Sequence, residues 1–226
     1  TILDIITKQK KRMIQISTDE VFGSLEKGTA DEQSKFNPSS PYAATKAAAE
    51  LLINSYITTF NSDVIITRCT NNFGPRQFPE KLIPKTIILA NNDMKIPIYG
   101  TGKNIRDWIF VDDHCNAVNM ALLKGNSGES YNISANNEID NITIVKKILA
   151  IMNKSEDLIE FVEDRPGHDF RYSMTSRKIS NELEWKQESN FDEGLKKTVE
   201  WYLGNPEIMK DASTIVQDAT PWKNSN

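Results

Sequence analysis

A short apolar segment that ends abruptly in polar residues constrains the fold of this 226-residue sequence more than any other feature. Residues 12–16, Arg-Met-Ile-Gln-Ile, favour a buried strand, and the polar run Ser-Thr-Asp-Glu at 17–20 follows directly. A helix is predicted next, with Ser40 as its N-cap, Pro41 at its first position and an alanine-rich stretch behind them. A second buried strand at 63–70 completes a strand-helix-strand order, which predicts parallel pairing of the two strands.

The sequence downstream predicts further helices and short strands, so the predicted fold class is α/β. Amphipathic spacing, capping residues and a Gly-x-Pro stop support these assignments. We expect the alanine-rich helix to end near Phe60. The other predicted helices are 82–91, Asp112 or Asp113 to Leu123, Asn141 to Met152 and 191–203. The other predicted strands are 96–99 and 131–134. Residues 206–226 show no clear periodicity, which predicts a loosely held tail.

Composition and charge argue against several classes of function. The formal net charge is -4, and no run of five or six like charges occurs, so we expect no nucleic-acid partner. No stretch approaches the roughly 18 apolar residues that a membrane span requires. The first residues do not follow the pattern of a signal peptide. We therefore expect a cytoplasmic protein with no membrane partner.

The cysteines and histidines are too few and too dispersed for a disulfide framework or a structural metal site. Cys69 and Cys115 form no C-x-x-C pair, and we expect both to be free, buried thiols. His114 and His168 lie far apart without a second ligand at metal spacing, so no metal is predicted.

Tyr42 and Lys46 lie four residues apart near the start of the alanine-rich helix, so their side chains project from one helix face. A lysine ammonium near a phenol stabilises the phenolate, which predicts a lowered pKa for Tyr42 and a role as general base. The pair follows one loop after the polar end of the first strand, where ligands gather in parallel sheets. A Tyr-x-x-x-Lys pair is common by chance, and an exposed helix face is the alternative explanation.

Six segments, in order along the chain, carry a resemblance to a known family. They read STDEVFG at 17–23, SPYAATK at 40–46, NNFGP at 71–75, FPEKLIP at 78–84, IRDWI at 105–109 and DRPGHD at 164–169. Over about residues 12–205 the chain resembles the dTDP-glucose 4,6-dehydratases of the extended short-chain dehydrogenase/reductase family. Asp19 and Glu20 weigh heavily in this resemblance, because related sugar-nucleotide epimerases and decarboxylases generally have other residues at these two positions.

The resemblance implies a Rossmann-like parallel sheet with a smaller α/β substrate-binding domain. We expect residues 1–75 to form the carboxyl-terminal part of an NAD-binding domain with the catalytic residues. Residues 76–205 would form mainly the nucleotide-sugar domain, with some segments returning to the first domain and 206–226 as the tail. The family binds NAD through a glycine-rich turn in its first βαβ half, and the 10 glycines of this sequence never form G-x-x-G-x-x-G. We therefore expect an N-terminally truncated member that by itself binds NAD weakly and has little activity.

The resemblance also implies a reaction. Family members are hydro-lyases that oxidise C4 of the glucosyl group with NAD, eliminate water across C5 and C6, and return hydride to C6. By resemblance Tyr42, with Lys46 beside it, takes the C4 hydroxyl proton, and Thr18 hydrogen-bonds that hydroxyl. Glu20 removes the C5 proton, and Asp19 protonates the departing C6 hydroxyl. Because adjacent strand residues point to opposite faces, the first strand must end at Thr18 for both carboxylates to face one sugar.

The resemblance assigns further residues to the cofactor and the substrate. Tyr42, Lys46 and Asn72 would contact NAD, with Asn72 near the nicotinamide. Thr18 would contact the sugar, and Asn71 the diphosphate. Lys81 and Leu82 lie at a helix start suited to phosphate, and the thymine pocket would be lined by Pro97, Ile98 and Tyr99. The nucleotide diphosphate would be surrounded by Arg106, Asn132, Arg165 and His168.

Two other functions remain open at this point. The chain could be a different nucleotide-sugar epimerase, reductase or dehydratase of the superfamily, using Tyr42 and Lys46 without the carboxylate pair. It could also be an inactive nucleotide-sugar-binding fragment. Family members are usually homodimers through a helix bundle, so Leu51, Leu52 and Tyr56 are candidates for either interface or core. The implied role of the product is deoxysugar supply, such as rhamnose for surface polysaccharide.

Overall fold

Strand β1, Met13–Thr18, runs parallel to strand β2, Val64–Cys69, in the computed structural model, which describes residues 1–216. β2 also pairs in parallel with β6, Ser130–Ile133, so this sheet has the order β1-β2-β6. The parallel α/β sheet that the strand-helix-strand order predicts is therefore confirmed.

The chain is divided into two compact units, and it passes from one to the other several times. Unit 1 comprises residues 1–72, 107–137 and 169–188. Unit 2 comprises 73–106, 138–168 and the chain from 189 onward. The first crossing, after residue 72, lies close to the boundary at residue 75 that the sequence suggested.

Unit 1 contains the β1-β2-β6 sheet, and a one-turn 3-10 helix, Asp19–Phe22, follows β1 directly. Its helices are α1 (Ile2–Gln9), α2 (Pro41–Phe60), α4 (Val111–Lys124) and α6 (Arg177–Leu183). Two short strands, β3 (Asn71–Phe73) and β5 (Ile105–Phe110), contain points where the chain passes between the units.

The central strand β2 is buried on both of its faces. Ile65 belongs to an apolar cluster with residues of α4, β6 and α6, together with Trp185. Val64 and Ile66 belong to a second cluster, with Leu3 of α1 and Ile53 of α2. A strand that is covered on both faces reads as a continuous apolar run, which explains why residues 63–70 predicted a buried strand.

Helix α2 begins where the sequence predicted. The Ser40 hydroxyl oxygen accepts a hydrogen bond from the backbone N–H of Ala43 at 3.1 Å, and Pro41 occupies the first helical position. The helix ends at Phe60, followed by Asn61 in the left-handed conformation with φ 52°.

Unit 2 combines a parallel strand pair with several helices. Its elements are α3 (Leu82–Asn91), β4 (Ile96–Tyr99), β7 (Glu138–Asp140), α5 (Asn141–Ile151), a 3-10 turn (Glu156–Leu158), β8 (Ile159–Val162), α7 (Phe191–Leu203) and α8 (Pro206–Val216). β4 pairs with β8, and α3 packs against α5, α7 and α8. Within residues 1–216, none of the helices has both the length and the apolar composition needed to cross a membrane.

Three sequence-based expectations are wrong. The sequence predicts that Asp112 or Asp113 caps α4. The helix instead starts at Val111 without a side-chain cap, and the Asp113 carboxylate accepts a hydrogen bond from the backbone N–H of Glu188 at 2.9 Å. The cysteines are not both buried, because Cys115 is exposed on α4 and Cys69 is half-buried at the end of β2.

The third correction concerns the predicted tail. Residues 206–216 form α8, which starts with Pro206 at a position that favours proline and buries Met209. The rest of the predicted tail, 217–226, lies outside the described residues.

Candidate active site

The turn after β1 carries the first group of predicted site residues. β1 ends at Thr18, and the 3-10 helix Asp19–Phe22 begins at once, so Asp19 and Glu20 leave the alternation of the strand. The Thr18 hydroxyl accepts a hydrogen bond from the Glu20 backbone N–H at 3.3 Å and donates one to Asp19 Oδ1 at 3.2 Å. Asp19 is buried and Glu20 is half-buried. The strand therefore ends at the residue where the proposed chemistry needs it to end.

Helix α2 brings Tyr42 and Lys46 to the same part of unit 1. Lys46 Nζ donates a hydrogen bond to the backbone carbonyl oxygen of Ile16 in β1 at 3.1 Å. It lies 5.9 Å from the centre of the Tyr42 ring. Tyr42 as a whole is half exposed, and its hydroxyl hydrogen-bonds with Thr18.

The environment of Tyr42 raises the pKa of its phenol above the usual value of 10.0. Burial is the largest cause, and the nearby Glu20, Cys69 and Asp19 add to it, while a hydrogen bond with Thr18 opposes the shift. The expectation of a lowered pKa for Tyr42 is therefore wrong for the chain on its own, because burial and the negative neighbours raise it. The same shift shows that Glu20 and Asp19 lie close enough to Tyr42 to act on it electrostatically.

Cys69 lies beside this group, and the sequence did not single it out as a site residue. Its Sγ donates a weak hydrogen bond to the Ser17 carbonyl oxygen at 3.6 Å. Burial raises the pKa of the thiol to about 12, and the charge of Asp19 adds to that shift. The only signal for Cys69 in the sequence is its position at the end of β2. Because its pKa is raised, the thiol is uncharged and lines the site without acting as a nucleophile.

Asn71 and Asn72 follow β2 in strand β3, and both are half-buried. The Asn72 amide donates a hydrogen bond to the Thr70 carbonyl oxygen at 3.1 Å and also interacts with the Cys69 thiol. The structure thus brings Asn72 to the group formed by the end of β1 and the start of α2.

Unit 2 carries most of the predicted substrate residues. Lys81 is the N-cap residue of α3 and makes an exposed ion pair with Glu80 at 2.9 Å, which contributes little to stability, and Leu82 opens the helix. In β4, Pro97 and Tyr99 lie on one face, whereas Ile98 lies on the other and is buried in the core.

Tyr99 contacts His168, which lies within electrostatic range of Arg106 and Arg165. The His168 ring meets the edge of the Tyr99 ring at 6.4 Å, and its Nδ1 lies 2.6 Å from Asp164 Oδ1. Burial lowers the pKa of His168 below 6.5, and the charges of Arg165 and Arg106 lower it further, while Asp164 opposes the shift. Arg106 is buried and donates a hydrogen bond to the Ile105 carbonyl oxygen at 2.7 Å, whereas Arg165 is exposed.

Asn132 lies apart from the other predicted substrate residues of its unit. It is fully buried in β6, and its Oδ1 accepts a hydrogen bond from Arg68 Nη1 at 3.3 Å. Its backbone N–H donates to Glu32 at 2.9 Å. In this structure the Asn132 side chain belongs to a buried network.

Comparison with known proteins assigns a family to this arrangement. The model of the GDP-mannose 4,6 dehydratase family matches residues 1–198. A strand end with Thr-Asp-Glu beside a Tyr-x-x-x-Lys helix thus lies within a region typical of nucleotide-sugar dehydratases. The chain belongs to this family.

One of two similar relatives bears the name that the sequence motifs suggested. The chain is 46% identical over 202 residues to a probable dTDP-glucose 4,6-dehydratase of Sinorhizobium fredii, covering 86% of this chain and 58% of that protein. It is 48% identical over 196 residues to the low-salt glycan biosynthesis protein Agl12 of Haloferax volcanii, covering 87% and 63%. The resemblance to the dTDP-glucose 4,6-dehydratases is confirmed, and the chain spans about three fifths of the length of these relatives.

Solved structures agree with the fold. The dTDP-glucose 4,6-dehydratase of Bacillus anthracis, in complex with NAD, superposes with a TM-score of 0.88 at 43% identity, covering 91% of this chain and 66% of that one. The dTDP-glucose 4,6-dehydratase DesIV of Streptomyces venezuelae gives 0.89 at 39% identity, covering 91% and 64%. The expectation of a Rossmann-like α/β fold is confirmed, and the chain covers about two thirds of each of these solved chains.

Proposed function

We propose that the protein containing this chain catalyses NAD-dependent dehydration of dTDP-glucose to dTDP-4-keto-6-deoxy-glucose. The observation that carries this proposal is the proximity of two carboxylates, Asp19 and Glu20, to the phenol of Tyr42 within one unit. An enzyme that oxidises, eliminates water and reduces in one site needs a base for a hydroxyl proton and a separate acid-base pair for elimination. Unit 1 contains both the residue proposed as base for the hydroxyl proton and the two carboxyl groups proposed for the elimination.

Tyr42 and Lys46 suit the first step, in which the C4 hydroxyl of the glucosyl group loses its proton. Thr18 hydrogen-bonds that hydroxyl, and Tyr42 accepts its proton. Lys46 is anchored on β1 at the Ile16 carbonyl and adds positive charge next to the phenol. Burial and the carboxylates raise the pKa of Tyr42, and the hydrogen bond with Thr18 opposes that shift.

Asp19 and Glu20 suit the elimination step. The C4 ketone acidifies the C5 proton, which Glu20 removes, and the C6 hydroxyl departs as water with a proton from Asp19. A carboxylate that acts as a base and a neighbouring carboxyl group that acts as an acid need different pKa values, and therefore different surroundings. Asp19 is buried while Glu20 is half-buried, so the two carboxyl groups do have different surroundings.

The residues present fit one end of an NAD molecule. Tyr42 offers a hydroxyl, Lys46 an ammonium, and Asn72 an amide at the end of the sheet, which are groups that bind a ribose and a carboxamide. When bound, NAD accepts a hydride from C4 and returns it to C6. In the B. anthracis relative the solved structure contains NAD.

Unit 2 supplies groups that suit the nucleotide part of the substrate. Arg165 offers an exposed guanidinium group for a diphosphate, with His168 near it and Tyr99 in contact with His168, whereas the guanidinium of Arg106 is buried. The half-buried Pro97 and Tyr99 are the members of β4 that remain available to a base. Lys81, Leu82 and Asn71 stay assigned to phosphate and sugar contacts, whereas Asn132 could act only if its buried network opened.

A nucleotide-sugar 4-epimerase is the second candidate. The solved UDP-glucuronic acid 4-epimerase of Bacillus cereus superposes with a TM-score of 0.86 at 26% identity. An epimerase needs Tyr42 and Lys46 but no elimination, so Asp19 and Glu20 distinguish the two functions.

We also propose that the protein forms a homodimer in the cytoplasm and supplies deoxysugar for rhamnose-type surface polysaccharide. Two exposed leucines on α2, Leu51 and Leu52, and two on α4, Leu122 and Leu123, support a helix-bundle interface. Tyr56, in contrast, donates a hydrogen bond to Asp4 of α1 at 2.7 Å, which ties it to its own unit.

The test is an assay of two polypeptides with dTDP-glucose and NAD. One is the 226-residue chain, and the other is the product of the whole open reading frame that encodes it. Mass spectrometry detects loss of one water, and NMR identifies the 4-keto-6-deoxy sugar. Unchanged mass with inversion at C4 would favour the epimerase, and binding of the nucleotide sugar without any conversion would favour the binding protein. UDP-glucose in parallel measures the preference for the base.

A further inference from the structure

Arg68 forms a fully buried ion pair with Glu50, which the proposed chemistry does not use. Arg68 lies in β2, and Glu50 lies in α2 four residues after Lys46. Arg68 Nη2 donates to Glu50 Oε2 at 2.7 Å, and Nε donates to both carboxylate oxygens at 3.0 and 3.1 Å. Only 3% of the Arg68 side chain and none of the Glu50 side chain is exposed. The guanidinium is thus rigidly attached to the helix that carries Tyr42 and Lys46.

The planar face of the same guanidinium meets two aromatic rings. Its central carbon lies 5.2 Å from the centre of the Phe22 ring and 5.4 Å from the centre of the Phe36 ring. The two rings are 6.1 Å apart and tilted by 54°. Phe22 is the last residue of the 3-10 helix Asp19–Phe22, and it is buried. Arg68 therefore contacts the turn that carries the two carboxylates.

Stability alone is a weak explanation for this arrangement. Removing two charges from water is costly, and apolar side chains of similar volume usually stabilise a core at least as well. A guanidinium supplies fixed directions, because its planar fork binds one carboxylate in two places and stacks on rings at the same time. In unit 1 the Arg68 guanidinium binds Glu50 of α2 and also contacts Phe22 of the turn after β1, so it connects the helix with the turn.

We infer that Arg68 is a positioning residue for the proposed dehydration, which sets the Asp19–Glu20 turn relative to Tyr42. The inference rests on the proposed function. Lys46 also ties α2 to β1, so the oxidation residues keep that contact when Arg68 is lost. Glu50→Gln accompanies Arg68→Met in the test below, because Glu50 would otherwise remain on the same helix as a buried charge without its partner. The turn, in contrast, loses its contact through Phe22. Loss of Arg68 should therefore slow proton removal from C5 more than hydride removal from C4.

Deuterium at C4 or at C5 of dTDP-glucose separates the two steps in the whole protein. For Arg68→Met we expect kcat/KM to fall about 10- to 100-fold, the range that displacement of a reacting group by roughly 1 Å produces. The isotope effect from C5 should rise and the effect from C4 should fall, because C5 proton removal becomes more rate-limiting. Arg68→Lys keeps a charge for Glu50 but not the planar fork, and it should give an intermediate result.

Two further variants guard against a trivial loss of stability. Ile179→Ala removes a buried side chain from α6, in a different cluster of the same unit, and should lower the melting temperature without changing either isotope effect. Phe22→Leu keeps the ion pair and removes the stacking ring, so it tests the inference if Arg68→Met does not fold.

The outcomes separate the inference from the function on which it rests. A wild-type protein that does not dehydrate dTDP-glucose overturns the proposed function, and the inference with it. An active wild type whose Arg68→Met or Phe22→Leu variants keep both isotope effects overturns the inference alone. The expected opposite shifts at C4 and C5 support it.

Discussion

Lys46 on α2 donates a hydrogen bond from its ammonium group to the backbone carbonyl oxygen of Ile16 in β1, at 3.1 Å. This contact joins the helix that carries Tyr42 to the strand that delivers Thr18. A carbonyl oxygen is a neutral partner and uses one of three N–H donors. Lys46 can therefore hold the helix in place and still present its charge to the phenol.

Replacing Lys46 with methionine should reduce kcat of the proposed dehydration by about 10²- to 10⁴-fold, the contribution that general acid-base groups commonly make. The variant keeps the apolar stem and loses both the charge and the contact with Ile16. Steady-state kinetics of the whole protein measure the effect, and Lys27→Met, at an exposed loop position, is the control. An unchanged kcat in Lys46→Met would contradict the assignment.

The phenol of Tyr42 should titrate at a lower pH when Glu20 is replaced by glutamine. The Glu20 charge is the largest contribution after burial to the raised pKa of Tyr42, and removing a negative neighbour favours the phenolate. The difference in ultraviolet absorbance between each protein and its Tyr42→Phe partner isolates this phenol. Glu160→Gln, an exposed change in unit 2, should leave the titration where it is. A higher pKa in Glu20→Gln would show that the charge does not act on Tyr42.

Much of the architecture follows from local signals in the sequence. The Ser40-Pro41 start and the bounds of α3 agree with expectation, because capping chemistry and apolar runs act over a few residues. The apolar run at 12–16, in contrast, ends two residues before β1 does. Helix α8 was missed, because the Gly-x-Pro sequence at 204–206 predicts the end of α7, although proline is also favoured at the first position of a helix.

The direction of the pKa shift at Tyr42 could not be read from the sequence. A four-residue spacing shows that Lys46 lies near the ring, but burial and the approach of Glu20 depend on how β1 and α2 pack together. The same limit applies to Glu50, which in an alanine-rich helix reads as a solvated charge until Arg68 is placed beside it.

The two cysteines should differ sharply in their reaction with iodoacetamide. Burial raises the pKa of Cys69 to about 12, so almost none of its thiol is ionised at pH 8, whereas Cys115 is exposed on α4. Peptide mass mapping of the native protein should find Cys115 labelled first. Labelling in denaturant, where both thiols are exposed, is the control. Equal labelling of both residues in the folded protein would contradict the burial of Cys69.

Replacing Asp107 with asparagine should destabilise the protein by about 1–3 kcal/mol, because one buried donor loses its acceptor. Asp107 Oδ2 accepts from Ser134 Oγ at 2.6 Å and from the Ala135 N–H at 3.0 Å, while Oδ1 accepts from the Asn137 N–H at 2.6 Å. An asparagine can present its oxygen to only one of these two sides.

Burial also raises the pKa of Asp107 above 3.8, so the folded state binds this proton more tightly than the unfolded state does. The stabilising contribution of Asp107 is therefore greatest at low pH, falls as the pH rises from the unfolded value through the raised folded pKa, and is constant above it. Urea unfolding of both proteins across this range should show a stability difference that shrinks with increasing pH, and a difference that grows with pH would contradict the raised pKa.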